Sequence, residues 1–220
     1  YIKIQTKSRD IEENIMNLKV EKLLENGKEV SIETPYEDLN KEIGGWRAGE
    51  LAIVGAQACQ GKTKFALESA IKALRDGKSV LFYSVEHSEV ETLIQMVDML
   101  VSEGMTKSEA STFIANSNFN FVHDEKLSPN FIKRRAARES LTDEGVDFVI
   151  IDTLQIPSTS LESGETINYA IKFVNLKFAK MAKRMKIPVL LMTRINVDKE
   201  VTQVNKLISE DAGVVVSIQA

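Results

Sequence analysis

The chain has 220 residues, 43% hydrophobic and 27% charged, with one cysteine and a formal net charge of −4. That balance suits one folded α/β-sized domain and excludes disordered, collagen-like and disulfide-stapled classes, as well as a multi-cysteine zinc site. A pI near 5.4 supplies no global basic field toward nucleic acid, so any polyanion contact must come from local loops.

The chain begins with Tyr1 rather than Met and stops inside an apolar run, 214–220, that reads as a buried strand; it is expected to be a fragment of a longer protein. Residues 10–26 suit a helix with two apolar lines, Ile11, Ile15 and Leu18 on one and Met16, Val20 and Leu23 on the other, stopped by Asn26-Gly27. Two lines exceed what one core needs, which leaves an ordinary packed helix or an arm docked on a neighbouring subunit. Residues 1–30 are accordingly set apart from 31–220. Thr34-Pro35 and Gly44-Gly45 then punctuate a linker that runs to Trp46.

From there strands and helices alternate. Strands are expected at 51–54, 80–85, 119–122, 148–151 and 188–192, with helices at 62–75, 89–102, 129–144 and 165–185 between them, before the terminal strand. Runs such as Val189-Leu190-Leu191-Met192 are apolar throughout, as a sheet covered on both faces requires. The fold class is therefore α/β, a doubly wound and mostly parallel sheet with helices on both faces. Local chemistry agrees: Gly77 stops the first helix of the series, Ser88 and Glu91 have capping-box spacing, and Ile167, Ile171, Val174, Phe178, Met181 and Met185 form one core-facing stripe. No apolar run reaches the ~18 residues of a membrane crossing, and YIKIQTKSRD lacks a secretion-type core, so the chain reads as cytoplasmic with no membrane partner.

Ala56-Gln57-Ala58-Cys59-Gln60-Gly61-Lys62-Thr63 fits the phosphate-loop pattern with Ala at its head, after an apolar strand and at the start of a helix. Backbone N–H groups of Gln57, Ala58, Cys59, Gln60, Gly61, Lys62 and Thr63 would cradle the phosphates, and Gly61 would let the backbone approach closely. Lys62 would reach the β- and γ-phosphates, and the Thr63 hydroxyl would bind Mg²⁺. The expected ligands are thus ATP, or another nucleoside triphosphate, and Mg²⁺. Cys59 lies inside this loop, so thiol alkylation is expected to inhibit and bound nucleotide to protect; the alternative is an inert small residue that fits the turn.

Hydrolysis needs an acidic site for metal and water. Asp152 ends the run Phe148-Val149-Ile150-Ile151 and is assigned to the Mg²⁺ shell beside Thr63. Glu86 follows the 80–85 strand and should emerge at the same sheet edge as the phosphate loop, where it would orient the attacking water; a solvated acid opening the next helix is the other reading. His87 and His123 have no metal-ligand spacing and no nucleophile nearby, and are given no chemistry.

Together these motifs resemble the RecA-like motor domain of DnaB-type replicative helicases, including those carried by phages. The resemblance spans about residues 30–220 and rests on Thr34 to Leu39, Gly44-Gly45-Trp46-Arg47-Ala48-Gly49-Glu50-Leu51, the loop with its leading Ala, Ser84-Val85-Glu86-His87-Ser88, Ile151-Asp152-Thr153-Leu154-Gln155-Ile156 and Lys183 to Val189. It implies a P-loop NTPase that forms a homohexameric ring, hydrolyses ATP between subunits and pulls single-stranded DNA through its centre, with primase and a helicase loader as partners. It also gives the 10–26 helix a use as the linker arm docked on the adjacent subunit.

Where the family usually carries a Gln that senses the γ-phosphate, this chain has Arg194, and the family's arginine finger lies after Ala220. The resemblance places DNA at the channel loops 156–165 and 197–207. The first has no Lys or Arg; the second offers Lys199 and Lys206 and is short for the family. The cluster Lys133-Arg134-Arg135 with Arg138 lies on an expected helix, as a solvated face or a subunit or DNA contact. A RecA- or KaiC-like ATPase that acts in recombination, or as a regulatory ring without unwinding, is the alternative, and a non-catalytic nucleotide-binding scaffold is a third reading that the intact Lys62, Thr63, Glu86 and Asp152 set opposes.

Overall fold

The computed structural model describes residues 31–123, 134–135, 145–154, 164–194 and 212–218. The expected helix at 10–26, most of that at 129–144, the greater part of the 156–165 loop and the 197–207 loop with Lys199 and Lys206 lie outside these residues. Arg134 and Arg135, inside the expected 129–144 helix, are helical. Two compact units are distinguished, residues 1–31 and 32–220; apart from Ser31, the fold below belongs to the second.

In chain order its elements are β1 (Ser31–Ile32), α1 (Glu37–Ile43), β2 (Trp46–Arg47), β3 (Leu51–Ala56), α2 (Lys62–Arg75), β4 (Val80–Ser84), α3 (Glu89–Ser102), α4 (Lys107–Ala115), β5 (Phe119–His123), β6 (Phe148–Leu154), α5 (Gly164–Met185), β7 (Val189–Arg194) and β8 (Val214–Ile218). β1 and β2 make a two-stranded sheet, and the main sheet has the order β5-β4-β6-β7-β3-β8, every pair parallel.

The alternation of side chains along each strand divides the interior into two cores. On one face Ala52, Val54, Val80, Phe82, Phe148, Ile150, Leu190 and Met192 pack with Phe65, Ala66 and Ala70 of α2, Met96 and Leu100 of α3, and Ala110 of α4. On the other, Leu51, Ile53, Leu81, Tyr83, Val149, Ile151, Val189 and Leu191 pack with Phe178, Met181 and Ala182 of α5. The expected doubly wound sheet is present, and the α5 stripe is core where its side chains are described.

Helix ends follow the sequence closely. At α3 the Ser88 hydroxyl accepts from the Glu91 N–H at 3.3 Å, while the Glu91 carboxylate accepts from the Ser88 N–H at 2.8 Å. At the end of α2, Gly77 takes a φ of 71°; its N–H donates to the Leu74 carbonyl and that of Lys78 to the Ala73 carbonyl, both at 3.0 Å, the paired bonds that close a Schellman turn.

Three local expectations are corrected. The stretch read as a linker to Trp46 contains α1, which closes on Gly44 in the left-handed region and is tied back where Thr34 and Asn40 exchange two hydrogen bonds at 2.7 and 3.0 Å. The sequence reading placed no element at α4, yet Thr106 and Glu109 there form a second capping box. The terminal strand is not buried: β8 is an edge strand with only β3 beside it among the described residues, and its sides alternate, leaving Val215 46% exposed.

Candidate active site

Parallel order brings the carboxyl ends of all six strands to one edge, and register fixes their heights there. Ser84 of β4 lies level with Asp152 of β6, and Arg194 of β7 lies level with Ala56 of β3. Four strands in the order β4-β6-β7-β3 thus present, side by side, the turn that carries Glu86, the Asp152 carboxylate, Arg194 and the loop before Lys62.

That loop turns sharply between a buried strand and a helix. Cys59 at φ 60° and Gly61 at φ 85° both occupy the left-handed region. Beyond its chain neighbours, no atom of the described residues lies within 4 Å of the place a Gly61 Cβ would take, so among these residues it is the positive φ that calls for glycine. The Gln57 N–H donates to Oε1 of Gln60 at 3.1 Å, which braces the turn, and the Phe65 N–H donates to the Gly61 carbonyl at 2.9 Å as α2 begins. Gln57, Ala58 and Cys59 are exposed along this turn.

Lys62 is buried. Its Nζ donates to the carbonyls of Gln57 at 2.6 Å and Ala56 at 3.3 Å, so the ammonium lies folded across its own loop. Burial pushes its pKa down, the nearby Arg194 guanidinium adds to that, and Glu86, Asp152 and Cys59 oppose it.

Asp152 is 1% exposed. Burial pushes its pKa up, while the side chains of Thr63 and Thr153 work against the shift. Thr153 Oγ1 donates to its Oδ1 at 2.9 Å, but its Oδ2 has no hydrogen-bond partner among the described residues. An orphaned, desolvated carboxylate oxygen close to the Thr63 hydroxyl suits a hard divalent cation, whose oxygen ligands would otherwise be water and phosphate.

The Glu86 turn is fastened from both sides. The Val85 N–H donates to the Asp152 carbonyl at 3.0 Å, and the His87 N–H donates to Ser84 Oγ at 3.0 Å. Glu86 Oε1 accepts from Nη2 of Arg194 at 2.9 Å, an ion pair whose side chains are 23% and 52% exposed respectively. The sequence reading missed this pair. The two residues are 108 positions apart, and no local pattern signals a contact that only strand order creates.

The structure brings Lys62, Thr63, Glu86, Asp152 and Arg194 to one edge with the loop from Gln57 to Gly61; Lys199 and Lys206 lie outside the described residues. A parallel sheet in this order, with a phosphate loop that enters the left-handed region after β3 and a buried aspartate near the end of β6, is a RecA-like P-loop NTPase fold. It is shared with solved structures. One of them, an ATPase domain, superposes with a TM-score of 0.76 at 18% identity, covering 96% of this chain and 83% of that one. A DnaB-like replicative helicase, solved in a study of its interactions with primase, gives 0.69 at 21% identity over 87% of this chain and 49% of that one. The RadB recombinase gives 0.56 at 18% identity, covering 82% and 80%.

Residues 31–209 match the DnaB-like helicase C-terminal domain family, and the chain belongs to that family. It is similar to the replicative DNA helicase DnaB of Buchnera aphidicola subsp. Schizaphis graminum, 25% identical over 203 residues that cover 84% of this chain and 43% of the relative. That of Haemophilus influenzae is 25% identical over 207 residues, covering 83% and 44%. A probable plasmid replicative DNA helicase of Chlamydia psittaci is 26% identical over 163 residues, covering 67% and 35%. The chain thus spans less than half the length of these curated relatives.

Proposed function

We propose that this domain is the ATP-hydrolysing motor of a replicative DNA helicase that acts as a homohexameric ring and moves along single-stranded DNA. The observation that carries the reading is the meeting of Lys62, Thr63, Asp152 and Glu86 at one sheet edge, from β3, β4 and β6, of which β3 is separated in the sheet from the other two by β7. Residues from Gln57 to Thr63 wrap the phosphates with backbone N–H groups and the positive end of α2. Lys62 exchanges its carbonyl partners for the β- and γ-phosphates. Thr63 and Asp152 would hold Mg²⁺, which when bound would supply charge neutralisation for phosphoryl transfer. Glu86 orients the attacking water and accepts its proton, and Arg194 faces the γ-phosphate from β7.

The 1–30 segment serves as the arm docked on the adjacent subunit. Lys199 and Lys206 contact DNA phosphates, which makes binding independent of sequence and strongly dependent on salt. Primase and a helicase loader are the partners of the whole protein, and it works in the cytoplasm of a bacterium or of a phage-infected host.

The test is steady-state ATPase with and without single-stranded DNA, with strand displacement by the full-length protein and native mass spectrometry with ATP and DNA. Lys62→Ala is expected to abolish turnover, and Glu86→Gln to retain nucleotide while losing hydrolysis. DNA-stimulated ATPase without strand displacement would favour a recombination or regulatory ATPase, and undiminished turnover in Glu86→Gln would remove Glu86 from its role.

A further inference from the structure

Resting on that reading, we propose that Arg194 makes the site discriminate triphosphate from diphosphate by exchanging partners: it pairs with Glu86 when no γ-phosphate is present and moves to the γ-phosphate when one arrives, releasing Glu86 to the water. The geometry supplies both ends of the exchange. β7 lies between β6 and β3, so Arg194 stands level with the head of the phosphate loop at Ala56 while its guanidinium reaches past β6 to Glu86 at 2.9 Å. The ion pair therefore spans the edge where Asp152 ends, between the phosphate loop and the Glu86 turn.

Charge explains why the partner would change. The Arg194 guanidinium is close enough to Lys62 to disfavour its charge, and Glu86 and Asp152 offset that; by formal charge the four groups are neutral together. A γ-phosphate brings more negative charge than one carboxylate, and it arrives nearer the loop, where Arg194 already stands. A half-exposed guanidinium paired with a carboxylate gives up little on leaving it. A diphosphate offers no group at that position, and Arg194 stays with Glu86. The positively charged side chain here thus links occupancy of the γ-site to release of the water-activating carboxylate within one subunit. A neutral amide at the same position could hydrogen-bond phosphate but could not hold Glu86 by charge.

The experiment is a double-mutant cycle on the full chain, with fluorescent ADP and a fluorescent non-hydrolysable ATP analogue, each with Mg²⁺, titrated by anisotropy. Arg194→Gln should weaken the triphosphate analogue by about two- to fivefold, the range of a partly exposed ion pair, and leave the diphosphate within error; Arg194→Lys should recover part of the loss. Glu86→Gln should tighten the triphosphate analogue by a similar factor, because its competitor for Arg194 is gone. In the double variant that gain should vanish. A gain from Glu86→Gln that persists alongside Arg194→Gln would be simple relief of repulsion from phosphate, and would overturn the exchange. Equal losses for both nucleotides in Arg194→Gln would overturn it too, as a structural defect. If the unaltered chain binds neither nucleotide, the nucleotide site itself fails; binding and turnover with an additive cycle would leave that site standing and remove only the exchange.

Discussion

Asp152 carries a conflict between folding and chemistry. Burial raises its pKa, so between the ordinary aspartate range and the native value the folded chain holds a proton that the unfolded chain has lost. Stability must then fall as pH rises through that window, and what is lost is not regained above it. Asp152→Asn is expected to raise the melting temperature without nucleotide above the ordinary aspartate range, to remove the fall in stability as pH rises from that range, and to abolish hydrolysis; thermal scans over a pH series check it. Cys59 offers a second test. It is exposed at a left-handed φ of 60°, on the turn proposed to wrap the phosphates. Alkylation should inhibit, ATP with Mg²⁺ should protect, and equal labelling with and without nucleotide, read by mass spectrometry, would reject the shielding.

At the scale of elements, α3 does two tasks: its first turn follows the Glu86 loop, and Met96 and Leu100 anchor it in the first core with no exposed surface. Leu100→Ala should cost about 3 kcal/mol in chemical denaturation, with the cavity responsible for part of it. Thr106→Ala should lower stability in the same direction by a smaller amount, because α4 loses its cap. Most of this architecture was legible in the residues. β3, β4 and β7 are apolar almost throughout, and the Ser88 and Gly77 signals mark helix ends directly. α4 was not recognised although Thr106 and Glu109 repeat the spacing of Ser88 and Glu91, because its nine residues bury only Ala110 and so lack an apolar stripe. α1 was hidden because it buries no side chain fully and is flanked by Pro35 and two glycines, the marks of a loop. The burial of β8 was overestimated because Val214, Val215 and Val216 are all apolar, whereas an edge position covers alternate residues. In the site, the motif around Lys62 and the end of β6 could be read directly; the Arg194–Glu86 pair could not, since it depends on which strand lies between which.

For the whole molecule, a chain with net charge −4 would have to hold the proposed single strand through a few local cations. Lys206→Ala is expected to weaken single-stranded DNA binding by a similar factor for every sequence and to lower the salt slope by about one unit, as anisotropy over a salt series would report. The position of β7 has a consequence for biosynthesis. Among the described residues, β3 and its phosphate loop are hydrogen-bonded within the sheet to the β4 and β6 side only through β7, which ends at Arg194. A nascent chain that has emerged only as far as residue 185 holds the Lys62 loop and both carboxylates but lacks the strand that sets them level. Ribosome-bound intermediates of that length should therefore bind no fluorescent ATP analogue, and binding should appear only once the strand after Met185 has cleared the exit tunnel.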